Sequence, residues 1–260
     1  MKEQRMNGEL AIVTGSDSGI GQATAIAFAR EGADLVVTYL HDRQGAERTA
    51  GEIENAGRKA AVFRLDQRDS KNVQQLFHEV KSTLGVPTIL VNNAGIDASG
   101  KMVKDMTDDD WNDAIRTNLF GPFYCCREFI RAIENSGRHG TIINITSVHQ
   151  EIPRAGASGY DAAKGGLRNL TTTLALELAE KDINVNNIAP GMVLTPMNQS
   201  AIDDPEVLKQ QVQSIPMKRA AHPEEIAHVA VFLASEQARY IHGTTIVVDG
   251  ALMLFQGQGA

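Results

Sequence analysis

Tyr160 and Lys164 are the pair in this sequence with the most evident chemistry. In a helix their spacing puts both side chains on one face, one turn apart and about 6 Å along the axis. A phenol with its ordinary pKa near ~10 is a poor base at neutral pH, but a neighbouring ammonium stabilises the phenolate and lowers that value. Ser147 closes the apolar run Thr141 to Thr146, a place from which a hydroxyl can donate to a substrate oxygen and stabilise a developing alkoxide. A base that exchanges a proton and a donor that stabilises an oxyanion suit the interconversion of an alcohol and a carbonyl.

A second group of residues belongs to a turn. Thr14-Gly15-Ser16-Asp17-Ser18-Gly19-Ile20-Gly21 follows an apolar run and leads into a helical pattern. Glycines at such a strand-to-helix turn let a pyrophosphate approach backbone N–H groups at the positive end of the helix. The spacing is Gly-x3-Gly-x-Gly, and a glycine cluster alone is often an ordinary turn; the strand before and the helix after favour a phosphate cradle.

These residues need a frame. Apolar runs at Leu10 to Thr14, Asp34 to Tyr39, Ala60 to Leu65, Thr88 to Val91, Thr141 to Thr146, Ile183 to Ile188 and Thr245 to Val248 alternate with helical patterns starting near Gly19, Asp42, Asp69, Thr107, Ser158 and His222. Strands that are apolar throughout, without alternation, are covered by helices on both faces, as in a parallel sheet. The expected fold is therefore α/β: a single doubly wound, Rossmann-type domain over residues 1–260 with a seven-stranded, mainly parallel sheet. Two longer irregular stretches, Asp97 to Met106 and Ala189 to Ile215, follow strands on the ligand-binding edge, and the second has the position of a lid.

Composition narrows the function classes. Lys and Arg number 25 against 32 Asp and Glu, a net charge of -7, with no basic cluster to meet a nucleic-acid backbone. The chain shows no membrane span, and Met1 to Leu10 has neither a secretory apolar core nor a transit-peptide pattern, so a cytoplasmic location is expected. The two cysteines, Cys125 and Cys126, are neighbours in an apolar helical pattern; they read as core, and no metal site is expected.

Read in order, the motifs resemble the short-chain dehydrogenase/reductase family. Thr-Gly-x3-Gly-Ile-Gly from Thr14, Asn92-Asn93-Ala94-Gly95 after the fourth strand, Asn118 in the next helix, Ser147, Tyr160-x3-Lys164 and Pro190-Gly191 carry the likeness from about Leu10 to Gly250. The resemblance implies a catalytic set of Asn118, Ser147, Tyr160 and Lys164, with Asn118 holding a water linked to Lys164 and Lys164 also holding the nicotinamide ribose. It implies dinucleotide contacts at Gly15, Ser18, Gly19, Ile20, Gly21, Asn93, Ala94, Gly95, Tyr160 and Lys164, and nicotinamide contacts at Pro190, Gly191, Val193 and Thr195. Asp66 would meet the adenine, or else only cap the helix beginning near Ser70.

NAD enzymes of this fold commonly carry an acidic residue at the end of the second strand, which here reads Thr38-Tyr39-Leu40. Ser18 stands where many NADP-preferring relatives have a basic residue, and Arg43 is an early-helix residue that faces solvent or reaches a 2′-phosphate. Use of NAD and NADP alike, with a modest tilt to NADP, is expected. Family members also imply a homotetramer, with the helices Thr107 to Glu134 and Ser158 to Lys181 at one interface and the apolar run Ala251 to Phe255 buried between subunits.

A narrower resemblance concerns the substrate. Ser147-Val148-His149-Gln150-Glu151-Ile152-Pro153, Ile215-Pro216-Met217 and the Gln-Gly-rich tail look like bacterial glucose dehydrogenases, which implies an aldose or polyol as the small-molecule substrate. Sugar hydroxyls need polar partners, and Asp97, Ser147, His149, Gln150 and Asn198 fall where they could supply them. The glucose enzymes have Glu where this chain has Gln150 and Asp97, so glucose itself is expected to fit poorly and another aldose or polyol well. A 3-oxoacyl-thioester reductase shares every core motif and is the alternative enzyme; a dinucleotide-sensing regulator without turnover is the alternative of another class.

Overall fold

The computed structural model describes residues 4–255. Strands β1 (Leu10–Val13), β2 (Asp34–Tyr39), β3 (Ala60–Arg64), β4 (Ile89–Asn92), β5 (Gly140–Ile145), β6 (Ile183–Pro190) and β7 (Thr245–Val248) form one sheet in the order β3-β2-β1-β4-β5-β6-β7. Every neighbouring pair is parallel, so the expected mainly parallel sheet is parallel throughout. The helices are α1 (Gly19–Arg30), α2 (Arg43–Asn55), α3 (Ser70–Thr83), α4 (Asp108–Ile115), α5 (Gly121–Ile133), α6 (Ser158–Leu178), α7 (Gln199–Asp203), α8 (Pro205–Gln211) and α9 (Pro223–Leu233).

The two-residue period of a strand divides the core. Ala11 and Val13 of β1, with Leu35, Val37, Val91 and Ile143, pack against Phe28 and Ala29 of α1 and Ile226 and Ala230 of α9. Leu10 and Ile12, with Val36, Leu90 and Ile142, meet Phe77 of α3, Phe129 of α5 and Leu174 of α6 on the other face. Cys125 and Cys126 belong to this second layer, fully buried, and burial pushes both thiols up.

Three expected features change in detail. The helix expected from Thr107 to Glu134 is interrupted: a wide π turn, Arg116–Phe120, separates α4 from α5. Pro122 is the local cause, since it has no N–H to continue an α-helical ladder. The stretch 189–215 is less irregular than expected, because its first residues extend β6 and α7 and α8 follow; the Asp204 side chain caps α8 by accepting from Glu206 N at 2.9 Å. The helix from Ser158 closes at Leu178, with a 3-10 turn, Ala179–Lys181, after it. The Gln-Gly-rich tail and the first three residues lie outside the described residues.

Candidate active site

Strand order reverses between β1 and β4, so the loops leaving their carboxyl ends diverge and open a crevice. A cleft of about 820 Å³ occupies it, walled by the loops after β1 to β6. Among the described residues no group of three His, Cys, Asp or Glu side chains could hold a metal ion, and no helix is long and apolar enough to cross a membrane.

The glycine turn forms one end. Gly15 and Gly19 have φ of +60° and +55°, in the left-handed region that favours glycine. A Cβ on Gly21 would lie 2.2 Å from the Gly15 carbonyl oxygen and 2.5 Å from Asn93 Nδ2, so the chain there admits no side chain. The second loop is stitched to the first: Thr14 Oγ1 accepts from Asn93 N and Ala94 N, both at 3.0 Å, and Asn93 Nδ2 donates to Thr14 O at 2.9 Å. Ser18 begins α1 in an extended conformation without using its hydroxyl as a cap, and it lines the cleft with Gly15, Gly19 and Ile20. This bare backbone cradle at a helix N-terminus fits a pyrophosphate. Gly21 serves the turn from behind, away from the lining.

Farther along, Asp66, Asn93, Ala94 and Gly95 line the same cleft. Asp66 does not cap α3; Asp69 does, accepting from Lys71 N at 2.8 Å. Instead Asp66 is gripped by Arg68 through bonds of 2.9 and 2.8 Å, which hold its carboxyl below the ordinary range. At the end of β2 the lining residues are Thr38, Tyr39, Leu40, His41 and Asp42, with Asp17 across from them. Burial, and then the Asp42 charge, raise the Asp17 carboxyl. Arg43 faces solvent, paired with Glu47 at 2.8 Å.

The opposite end gathers the four residues that the family resemblance marks as catalytic. Lys164 and Ser147 are buried, Asn118 is wholly buried, and Tyr160 is half-buried; all four line the cleft. Lys164 Nζ donates to Ile145 O at 2.9 Å and lies 5.6 Å from the Tyr160 ring centroid. Burial pushes the Lys164 ammonium down to about 8. Tyr160 shifts in the direction opposite to that expected from a neighbouring ammonium. Burial raises its phenol, the hydrogen bond with Ser147 works the other way, and the nearby Asp97 and Asp161 carboxylates raise it while Arg154 lowers it. The α6 helix that carries Tyr160 and Lys164 is fixed to the sheet by a buried polar chain: Asn92 to Asn144 at 2.8 Å, Asn144 to Thr171 at 2.7 Å, and Thr171 to Asn187 at 2.6 Å.

Asn118 sits on the wide turn with both ends of its amide committed to Ile96: Oδ1 accepts from Ile96 N at 3.0 Å and Nδ2 donates to Ile96 O at 3.1 Å. Its side chain therefore shapes the loop after β4. Four residues on stands Pro122, which offers no N–H to the Asn118 carbonyl.

Pro190, Gly191, Val193 and Thr195 line the cleft at the end of β6, with Thr195 packed on Gly19. Of the residues expected to meet substrate, Asp97 and Asn198 line the cleft and His149 and Gln150 do not. Asp97 is held by Arg154 at 2.9 Å and Ser99 at 2.9 Å, and Asn198 Nδ2 donates to Val193 O at 2.8 Å. His149 stands edge-on to the Tyr160 ring at 6.2 Å, donating from Nδ1 to Ile152 O. Gln150 is buried beside Glu151. Sequence reasoning passed over Arg154 and Gln67, and named Thr14 only as the start of the glycine turn. Thr14 carried a signal, a hydroxyl immediately before the first glycine; the other two depend on partners far away in the chain.

Known proteins match the chain over nearly its whole length. A family model described as enoyl-(acyl carrier protein) reductase matches residues 15–252. The chain is 40% identical over 252 residues to 3beta-hydroxysteroid dehydrogenase 1 of Eggerthella lenta, covering 97% of this chain and 96% of that protein. It is 37% identical over 253 residues to glucose 1-dehydrogenase 2 of Bacillus subtilis, covering 97% and 98%. A solved dehydrogenase from Agrobacterium tumefaciens with bound NADP superposes with a TM-score of 0.88 at 33% identity, covering 98% of this chain and all of that one.

Proposed function

Because the chain belongs to the short-chain dehydrogenase/reductase family and is a dehydrogenase acting on CH–OH groups, we propose that Tyr160, Lys164, Ser147 and Asn118 carry that reaction at the closed end of the cleft. The observation that carries this reading is the meeting of the Tyr160 phenol, the Ser147 hydroxyl and the buried Lys164 ammonium at the end of the same crevice whose other end is the glycine cradle. A dinucleotide held by Gly15, Ser18, Gly19, Ile20, Asp66 and the Asn93 to Gly95 loop would supply the hydride acceptor or donor. Ser147 hydrogen-bonds the substrate oxygen. Tyr160 takes the hydroxyl proton as the carbinol hydrogen leaves, and returns it in reduction. Lys164 places a cation behind the phenol, and the Asn118 carbonyl, without an α-helical donor, accepts from water.

For the substrate we read an aldose or polyol, supported by Asp97 and Asn198 in the lining and by the likeness to a glucose dehydrogenase. One observation favours a second reading. Ile96 and Met197 line the cleft with 38% and 50% of their surface exposed, an apolar wall suited to a carbinol on an apolar body, such as the steroid named for the Eggerthella relative. Both NAD and NADP are proposed to serve. The tilt to NADP loses support, since Arg43 faces away and the carboxylates Asp17 and Asp42 line that end of the cleft.

A panel of aldoses, polyols, hydroxysteroids and 3-oxoacyl thioesters, each with NAD and NADP, tests both points through the absorbance of the reduced nicotinamide. Oxidation of at least one aldose or polyol is expected, with a cofactor preference below about 1000-fold, or ~4 kcal/mol. Failure with every sugar beside brisk reduction of a thioester would move the assignment to the acyl reductase reading. A homotetramer goes with this proposal, supported by exposed Trp111, Phe120 and Phe123 along α4 to α5, Leu176 on α6, and Leu254 beyond β7. Light scattering should give the mass of four chains, and a stable monomer at micromolar concentration would refute it.

A further inference from the structure

The geometry points to Gln67 as a positioning residue that holds the wide turn at Arg116–Phe120 in shape and, through that turn, fixes the Asn118 carbonyl. The inference rests on the proposed function only for its effect on turnover. In an α-helix each carbonyl receives the N–H four residues on, and in a π turn the N–H five residues on. The Gly121 N–H goes to the Arg116 carbonyl, five residues back. The residue five beyond Thr117 is Pro122, which has no N–H. The Thr117 carbonyl is thus denied its π-turn donor, and its α-helical donor is turned elsewhere.

Gln67 takes that place from the loop after β3. Its Nε2 donates to Thr117 O at 2.8 Å and to Ala94 O at 3.0 Å. The side chain is 5% exposed, so water is a poor substitute for either bond. Its Oε1 is buried without a hydrogen-bond partner, which shows that this amide is placed for its two donors. The seat is shaped to match, because a Cβ on Gly121 would come within 2.6 Å of Gln67 Cγ and 2.8 Å of Cδ. Only a glycine there lets the amide reach the turn.

A closed circuit results. Gln67 bonds the turn at Thr117 and the loop at Ala94, while Asn118 bonds the same loop at Ile96 with both ends of its amide. Gly95, between them, leaves no space either: its Cβ would lie 2.7 Å from Asn118 Oδ1. The direction of the Asn118 carbonyl is therefore set by a ring of buried bonds, of which Gln67 is the part contributed from outside the turn and its neighbouring loop.

Gln67→Met keeps the length of the side chain and removes both donors; Gly121→Ala displaces the amide from the other side. Both are made in the full chain and read by amide hydrogen exchange, dinucleotide affinity and turnover. Exchange at Ile96 and across residues 119–121 should accelerate by about tenfold or more in either variant. Dinucleotide affinity should stay within about threefold while kcat falls by roughly tenfold with a displaced pH profile, the effect of a misplaced rather than a missing group. Unchanged exchange at these amides in Gln67→Met would overturn the inference, whatever the activity. Accelerated exchange throughout the chain, with affinity and kcat falling together, would also overturn it, since that is the signature of general loosening. Because the exchange readout needs no turnover, failure of the proposed function and failure of the Gln67 inference are separable.

Discussion

Tyr160→Phe is expected to lower turnover by two to four orders of magnitude, roughly 3 to 5 kcal/mol in the barrier, while melting temperature and dinucleotide affinity stay close to wild type. The substitution removes one hydroxyl and leaves the ring, so the edge contact with His149 at 6.2 Å and the Lys164 ammonium 5.6 Å from the ring centroid are preserved. What is lost is the group proposed to exchange a proton with the substrate oxygen beside Ser147. The pH dependence should follow. Burial and the Asp97 and Asp161 carboxylates raise the Tyr160 phenol, so oxidation, which needs it deprotonated, should accelerate as pH climbs through the alkaline range. The Phe variant should lack that limb. If it kept more than about a tenth of wild-type turnover, proton transfer would have to be assigned elsewhere.

Lys164→Met should move activity and stability in opposite directions. The ammonium is 5% exposed, and burial holds its pKa at about 8 against an ordinary value of 10.5. At about 1.4 kcal/mol per pKa unit, keeping this charge in the fold costs on the order of 3 kcal/mol below pH 8. Its bond to the Ile145 carbonyl, at 2.9 Å, offsets about 1 kcal/mol. Removing the charge should therefore stabilise the fold by about 2 kcal/mol at neutral pH. Between pH 8 and 10.5 the unfolded chain keeps this proton and the folded chain releases it, so wild-type stability rises with pH and the advantage of the variant shrinks. Turnover should fall at least ~100-fold, because the phenol loses its cation. Thermal denaturation at pH 7 and pH 10, beside initial rates, tests this; a variant less stable than wild type at pH 7 and still active would contradict it.

The frame of the site was legible because its signals are local. Ile12, Val36, Leu90 and Ile142 sit in short runs that are apolar on both faces, and such runs have one economical arrangement, a parallel sheet between helical layers. Gly15, Gly19 and Gly21 were readable for a similar reason, since the turn requires positive φ at two of them and no side chain at the third. The six residues between Ile115 and Pro122 were harder. Apolar periodicity runs through both α4 and α5, and it does not register that one missing N–H at Pro122 widens the turn. The short helices α7 and α8 escaped because Pro196, Pro205 and polar neighbours read as loop.

Side-chain commitments were not legible at all. Asp97 and Gln150 have the right chemistry for sugar hydroxyls, yet the first lines the cleft already engaged by Arg154 and Ser99, and burial beside Glu151 removes the second. Arg154 stands 57 residues from Asp97, and Gln67 stands 50 from Thr117, separations at which spacing carries no information about contact. The direction of the Tyr160 shift belongs to the same class: residue types alone suggest a phenol eased by a cation, while the folded site adds burial and two carboxylates.

Hydride transfer itself is tested most directly with an isotope. A secondary alcohol that the enzyme oxidises is prepared with deuterium at the carbinol carbon and turned over with the oxidised dinucleotide, and the reduced dinucleotide is analysed by mass spectrometry. One deuterium in the reduced nicotinamide is expected for each carbonyl formed, with at least about a hundredfold less labelled dinucleotide when Tyr160→Phe replaces wild type over the same interval. Reduced dinucleotide without deuterium, formed at the wild-type rate, would contradict hydride transfer.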